Sequence, residues 1–128
     1  MAHISDTGST SGPEQGRAHS LERWSNYVWH DGFQVPDLAP LERLMVRTCN
    51  HLYEVIVIEP LRALVMIRGG QYFPEFTRAR INGSSTGGGF LKVHGIYAGF
   101  RLELHTDEQA IITSPVREVT RAADLIPA

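Results

Sequence analysis

Apolar and polar residues alternate along the second half of the chain. In "FRLEL", residues 100–104, Leu102 and Leu104 fall on one side of the segment and Arg101 on the other. The segments "FTRARI" and "FLKV" have a similar pattern, and "AIITS", which Pro115 follows, is predicted as a final strand. A period of two is typical of half-buried β-strands, and the proline predicts that pairing ends there or reaches a sheet edge.

Two further strands are predicted just before this region. "YEVIVIE" and "ALVMI" are short runs of β-branched and aliphatic residues, which are typical of buried strands, and "PLR" between them predicts a tight hairpin. Gly95 and Gly99 interrupt the later strand pattern, as glycines often do where a sheet bends. Five to six short strands joined by short turns predict a strongly curved antiparallel sheet or a small SH3/OB-like β-barrel over residues 53–119.

The region before these strands has a different spacing. Apolar residues three and four positions apart predict one or two short helices within residues 21–50. Their members are Leu21, Trp24, Tyr27 and Val28 in the first helix, and Leu38, Leu41, Leu44 and Met45 in the second. Ser20 and Asp37 are suited to cap the two N-termini. The predicted fold class is therefore α+β, with the helices before the sheet.

Length and composition fit one domain and a tail. Residues 1–20 are rich in Gly, Ser and Thr, so we expect a disordered tail followed by a single compact domain over residues 21–128. The single cysteine, Cys49, has no disulfide partner within the chain. The N-terminus lacks the pattern of a signal peptide, and Glu59 and Pro60 interrupt the most apolar stretch, which argues against a membrane-spanning helix. We expect a cytoplasmic protein of bacterial type.

Charge is distributed unevenly along a chain whose net charge is −2. Residues 61–101 hold six cations and a single acid, whereas the segments on either side are acidic. Aromatic residues are interleaved with these cations. An asymmetry of this kind indicates the partners of a protein and not its fold.

The basic segment supplies the candidate binding residues. They are Arg68, Tyr72, Arg78, Arg80, Lys92 and Arg101, with residues 83–89 as a loop at the rim. Strand alternation places Arg78 and Arg80 on one face, and Lys92 and Arg101 are candidates for the same face. We expect a small non-catalytic binding or regulatory module that recognises a protein partner through this basic sheet face. Single-stranded nucleic acid is the alternative ligand, with cations on phosphates and rings stacked on bases.

The glycine-rich segment "RINGSSTGGGFLK" does not match a nucleotide-binding motif. Gly83 and Gly88 have the separation of a P-loop, but Gly89 and Phe90 stand where the lysine and the hydroxyl residue belong. The segment that follows is β-like, whereas a dinucleotide fingerprint leads into a helix. The sequence therefore predicts a flexible hairpin loop and no cofactor.

An enzyme is the alternative from another class. Cys49 and His51 are the only close pair of metal-ligand residues, and no second pair follows, so no metal site is predicted. No nucleophile motif surrounds any serine, which favours a non-catalytic protein. A small enzyme would use His94 or His105 in a pocket at the barrel end.

Self-association is a third alternative. An exposed strand edge invites pairing with a second copy. The aromatic segment that holds Trp24 and Trp29 is another surface on which a homodimer could form, although docking on the protein's own core is the favoured interpretation of these rings.

Overall fold

The computed structural model describes residues 2–5, 24, 29–87 and 89–125. The described part is built mainly of β-strands. In chain order they are β1 (Ala2–Ser5), β2 (Gly32–Gln34), β3 (Arg43–Thr48), β4 (Leu52–Glu59), β5 (Leu64–Gly69), β6 (Phe73–Ser85), β7 (Leu91–Val93), β8 (Gly95–Tyr97), β9 (Arg101–His105) and β10 (Gln109–Arg121). Short 3-10 turns lie at Val35–Asp37, Pro60–Arg62 and Ala122–Leu125.

Six of these strands form an antiparallel sheet that curls until its first and last strands pair. β3, β4, β5 and β6 pair in succession, β6 pairs with β9, and β9 pairs with β10. β10 then pairs with β3, and an ion pair between Arg47 Nη2 and Glu118 Oε1, 3.4 Å apart, lies across this seam. The prediction of a strongly curved antiparallel sheet is confirmed. We call these six strands the barrel.

Alternate residues of the strands fill the interior of the barrel. In β4, Tyr53 and Val55 point inward, and β4 and β5 form the predicted hairpin, which turns at Pro60–Arg62. Leu102 and Leu104 of β9 are buried, as the alternation of "FRLEL" predicted. The largest buried side chains include Leu44, Tyr53, Ile67, Phe73, Ile81, Ile96, Leu102, Leu104 and Ile111. Removal of this apolar surface from water is the main favourable term in folding.

The remaining strands lie at the ends and edges of the barrel. β7 pairs with the C-terminal part of β6, beyond the residues of β6 that pair with β5. β2 and β8 form a separate two-stranded sheet, and Ile96 of β8 belongs to the core. β1 pairs in parallel with residues 109–112 of β10.

The second predicted helix is wrong, because its C-terminal half is strand β3. Leu44, Val46 and Thr48 alternate along this strand and point into the barrel. The helical spacing counted Leu41 and Met45 as apolar partners of Leu44, but Leu41 is exposed and Met45 lies on the outer face. The β-branched residues favour a strand, and pairing with β4 and β10 satisfies its backbone. Residues 29–50 contain strands and a 3-10 turn but no α-helix, so the α+β class is corrected to an antiparallel β structure with short 3-10 turns.

The other N-terminal predictions fall largely outside the described residues. Of the first predicted helix, Trp24 and the residues from 29 onward are described, and Gly32–Gln34 is a strand. Of the predicted tail, Ala2–Ser5 forms β1, and residues 6–20 lie outside the described part. No helix among the described residues is long and apolar enough to cross a membrane.

The first three of the seven residues in the predicted loop, 83–85, belong to a strand. β6 continues through Ser84 and Ser85, so the loop begins only at residue 86 and not at 83. Gly83 has a φ of 149°, and a Cβ on it would collide with the carbonyl group of Lys92 in β7. The close pairing of β6 with β7 therefore requires glycine at this position.

Pro115 marks a change of partner within β10. The strand pairs with β9 up to Pro115 and with β3 from Val116 onward, and the register shifts before the proline. Since proline has no N–H to donate, it fits the point at which one ladder ends. The end of pairing predicted at Pro115 is therefore correct for β9, although β10 itself continues to Arg121.

Candidate binding site

β6 forms the floor of a groove on the outer wall of the barrel. Ala79 points into the core, so Arg78 and Arg80 on either side of it point outward. Arg80 pairs in register with Leu64 of β5 on one side and with His105 of β9 on the other. The groove has a volume of about 380 Å³ and is lined by Leu64, Arg78, Ala79, Arg80, His105, Thr106 and Asp107. We call it the basic groove.

Asn82 orients His105 at one side of the basic groove. The amide Oδ1 of Asn82 lies 2.6 Å from Nδ1 of His105. Because an amide oxygen accepts and does not donate, Nδ1 carries the proton in this contact, and Nε2 is left for another partner. The groove therefore combines two guanidinium groups and an oriented imidazole with the carboxylate of Asp107.

Arg78 and Arg80 differ from the other arginines of the described chain. Neither forms an ion pair or a side-chain hydrogen bond with another described residue. Arg43 and Arg68 reach Glu54, Arg47 reaches Glu118, Arg62 reaches Glu59, Arg121 reaches Glu42, Arg101 donates to the carbonyl oxygen of Thr113, and Arg117 donates to Sγ of Cys49. The two arginines of the groove thus keep their donors available for a ligand.

Arg68 lies near the end of β5, and Tyr72 lies in the turn between β5 and β6. Both side chains have contacts within the protein. Arg68 Nη2 is 2.6 Å from Glu54 Oε1, and its guanidinium lies 4.3 Å from the ring centre of Phe76. Tyr72 packs against the core. These contacts neutralise the charge of Arg68 and cover the ring of Phe76, which limits what either offers to a ligand.

Lys92 and Arg101 lie away from the basic groove. Nζ of Lys92 is 5.3 Å from the ring centre of Trp29. Arg101 is only 5% exposed, and its Nη1 donates to the carbonyl oxygen of Thr113. The loop after β6 passes over it, since a Cβ on Gly87 would lie 3.1 Å from its side chain. Of the six predicted binding residues, the structure therefore brings together Arg78 and Arg80.

Leu64, His105 and Asp107 complete the groove and were not predicted as binding residues. His105 was considered as the histidine of a small enzyme with a pocket at the barrel end. What brings it beside Arg80 is the register between β6 and β9, which are joined by a chain that contains β7 and β8. Because no short turn fixes that register, sequence alone could not place these residues together.

The hydroxyl groups of the glycine-rich segment are used within the fold. Ser84 Oγ donates to the carbonyl oxygen of Gly95 at 2.9 Å and accepts from the N–H of Tyr97 at 3.0 Å, so it ties β6 to β8. Ser85 Oγ accepts from the N–H of Gly87 at 3.1 Å. These contacts give the two serines structural roles.

The tryptophans contact rings of the same chain. Trp24 and Trp29 have ring centres 4.9 Å apart, and both lie near Phe100, at 5.7 and 4.9 Å. Trp29 also lies 5.1 Å from Tyr97 of β8. Trp24 and Trp29 therefore pack against the end of the barrel that holds β8.

Potential metal ligands are scattered. Within the described ranges, no three His, Cys, Asp or Glu residues are grouped closely enough to hold a metal ion. Cys49 is exposed and accepts from Nε of Arg117 at 3.1 Å. His94 lies in the turn between β7 and β8 with a φ of 62°, and its N–H donates to the carbonyl oxygen of Asn82.

Fold and site together define a small antiparallel barrel that presents a basic groove on its outer wall. The sequence matches no family model, and no curated protein and no solved structure matched it. Its function is therefore inferred from its own residues.

Proposed function

We propose that the protein is a small non-catalytic binding module that holds an acidic segment of a partner protein in the basic groove. The observation that carries this proposal is that Arg78 and Arg80 keep their donors available, while every other arginine of the described chain has a contact within the protein. Guanidinium groups bind carboxylates through paired, charge-assisted hydrogen bonds.

The two arginines of the groove, and not the charge of the whole protein, favour an acidic ligand. The net charge of the chain is −2, so a polyanion gains little from long-range attraction and depends on the groove itself. The groove is also within the size range of ligand sites, which are about 300–1,000 Å³. It can accommodate one or two acidic side chains between Leu64 and Asp107.

Single-stranded nucleic acid is a less suitable ligand for this face. Such ligands need exposed rings beside the cations, on which bases stack. Phe73 is buried, Phe76 lies under Arg68, and Tyr72 packs against the core. The face around the groove therefore offers cations without a stacking platform.

A catalytic role for His105 is also less suitable. Thr106 is the hydroxyl residue nearest to it along the groove, and its Oγ1 accepts the N–H groups of Glu108 and Gln109 in the turn before β10. A nucleophile needs a hydroxyl group that is directed at its base. In the groove as described, the threonine acts as a turn residue.

The test compares binding of fluorescent poly-L-glutamate and of single-stranded oligothymidine, measured by fluorescence anisotropy at several salt concentrations. We expect the Arg78→Ala/Arg80→Ala variant to bind poly-L-glutamate at least tenfold more weakly, since each charge-assisted hydrogen bond contributes about 1.5–3 kcal/mol. The control is Arg47→Ala/Arg117→Ala, which removes the same charge from β3 and from the part of β10 that pairs with β3, outside the lining of the groove.

Two results would contradict the proposal. Equal losses in both double variants would show that net charge, and not the groove, determines binding. Tighter binding of oligothymidine than of poly-L-glutamate, with the same dependence on Arg78 and Arg80, would support the nucleic-acid alternative instead.

A further inference from the structure

Two leucines project into water near the turn that joins β4 to β5. Leu41 is 74% exposed and has a φ of 70°. Leu61 is 81% exposed on the 3-10 turn between β4 and β5, and Ala63, which ends that turn, also has a positive φ, of 52°. Both leucines are therefore held outward by turns.

Stability does not explain Leu41. A left-handed backbone conformation is unfavourable for a residue with a Cβ, and Asn or Gly adopts it more readily than Leu. A buried leucine could offset this cost through its apolar contacts, but the side chain of Leu41 is mostly in water. The apolar side chain at this strained position thus brings little to the isolated fold, and a contact outside the fold would account for it.

The end of β4 and the turn after it connect the two leucines with Leu64, which lines the groove. The N–H of Leu41 donates to the carbonyl oxygen of Val57 at 2.7 Å, and Val57 precedes Ile58, whose side chain is partly exposed. Leu61 follows in the turn, and β5 then begins at Leu64, which lines the groove. We call Leu41, Ile58 and Leu61 the apolar patch.

The distance from the patch to the arginines suits one short peptide. Ile58 of β4 is two strand spacings from β6, about 10 Å, and Leu41, which is hydrogen-bonded to Val57 on the β3 side of β4, is three spacings away, about 14 Å. An extended peptide covers these distances in about three to five residues. One segment can therefore place apolar side chains on the patch and acidic side chains on Arg78 and Arg80.

We propose that the partner segment is both acidic and apolar, with large apolar side chains on the apolar patch and carboxylates in the basic groove. This inference rests on the proposed function, because it assigns the acidic part of the ligand to Arg78 and Arg80. The commitment to an acidic protein segment comes from charge complementarity with those arginines, and the apolar part comes from the exposed leucines of the apolar patch.

The test is selection from a displayed library of random peptides, each of roughly 12 residues, which is long enough to cross β4, β5 and β6. Selection on the unmodified protein should enrich peptides that carry acidic residues close to large apolar ones. Selection on Leu41→Asn/Leu61→Ser should keep the acids and lose the apolar residues. The best peptide should bind this variant about tenfold more weakly, as expected for the loss of apolar burial.

The thermal stability of the Leu41→Asn/Leu61→Ser variant serves as a control for correct folding. Asn tolerates the left-handed conformation at position 41, and Ser replaces an exposed side chain at position 61, so the thermal unfolding midpoint should stay the same or rise. A weaker peptide in an equally stable variant then reports on the patch, and a fall in the midpoint would show that the leucines serve the fold and would overturn the inference.

The outcomes separate the two proposals. Enriched peptides that are acidic without apolar residues would overturn this inference and leave the basic groove as the site. Enriched peptides that bind Arg78→Ala/Arg80→Ala as tightly as the unmodified protein would overturn the proposed function, and with it the assignment of the acidic half of the segment. A library without enriched peptides would overturn both.

Discussion

Substitution of Ser84 tests how β8 is attached to the end of the barrel. The side chain of Ser84 is 1% exposed, and its Oγ makes the two hydrogen bonds to Gly95 and Tyr97 that fasten β8 to β6. Ser84→Ala removes both bonds and leaves a buried carbonyl oxygen and a buried N–H without partners. Since each unpaired buried group costs about 1–3 kcal/mol, we expect the free energy of unfolding to fall by about 3 kcal/mol.

The assay is urea unfolding followed by tryptophan fluorescence and by circular dichroism. Fluorescence reports on Trp24 and Trp29, of which Trp29 packs against Tyr97 of β8, and circular dichroism reports on the sheet as a whole. A loss of about 3 kcal/mol is a large part of the 5–15 kcal/mol that a typical domain has, so the urea midpoint should fall clearly while the slope stays the same.

Ser85→Ala is the matched control. Ser85 is equally buried, but its Oγ accepts only the N–H of Gly87 among the described residues, in a half-buried loop. We expect a loss of about 1 kcal/mol. Equal losses in the two variants would refute the reasoning, because they would show that burial of a serine, and not its tie to β8, sets the effect.

Two further predictions concern ionisable groups. Burial, and to a smaller extent the charge of Asp37, raise the pKa of Tyr97 above its ordinary value of 10.0. The fold favours the neutral phenol, so this contribution to stability is full below pH 10 and is lost as the pH rises through the raised pKa. The difference in 295 nm absorbance between the protein and Tyr97→Phe should show the titration above that value, and a midpoint at or below it would contradict the cause given. Glu54→Gln weakens the contacts with both Arg43 and Arg68, so it should lower the free energy of unfolding by about 1 kcal/mol at low salt, more than Arg68→Ala does. An equal effect of the two changes in denaturant unfolding would exclude the shared role of Glu54.

Local alternation was the reliable part of the sequence prediction. The hairpin of β4 and β5 was predicted correctly because both strands are short apolar runs on either side of a turn. Strand β9 was predicted correctly because its apolar residues have a period of two. The second helix failed because Leu38, Leu41 and Leu44 have a helical spacing by coincidence. Leu38 and Leu44 are buried and Leu41 is exposed. Leu44 faces the interior as a residue of β3, and the pairing of β3 with β4 and β10 cannot be inferred from local spacing.

The candidate site was predictable only within one strand. Arg78 and Arg80 share a face because they lie two residues apart on β6. Lys92 and Arg101 lie on other strands, and their positions depend on how β7 branches from β6 and how the loop covers β9. Arg80 and His105 lie beside each other because of the register between β6 and β9, which are distant in sequence, and the sequence alone does not determine that register.

Closure of the barrel by β10 sets an order for synthesis of the chain. The strands that meet at the seam are far apart in sequence, since the paired Arg47 and Glu118 are separated by 71 positions. Until residues 116–121 have left the ribosome, β3 has no partner on one side, and contacts of such long separation form late in folding. A nascent or truncated chain that lacks them exposes an unpaired strand edge, which is a template for aggregation. The last strand therefore decides whether newly made protein becomes a closed molecule or an open sheet.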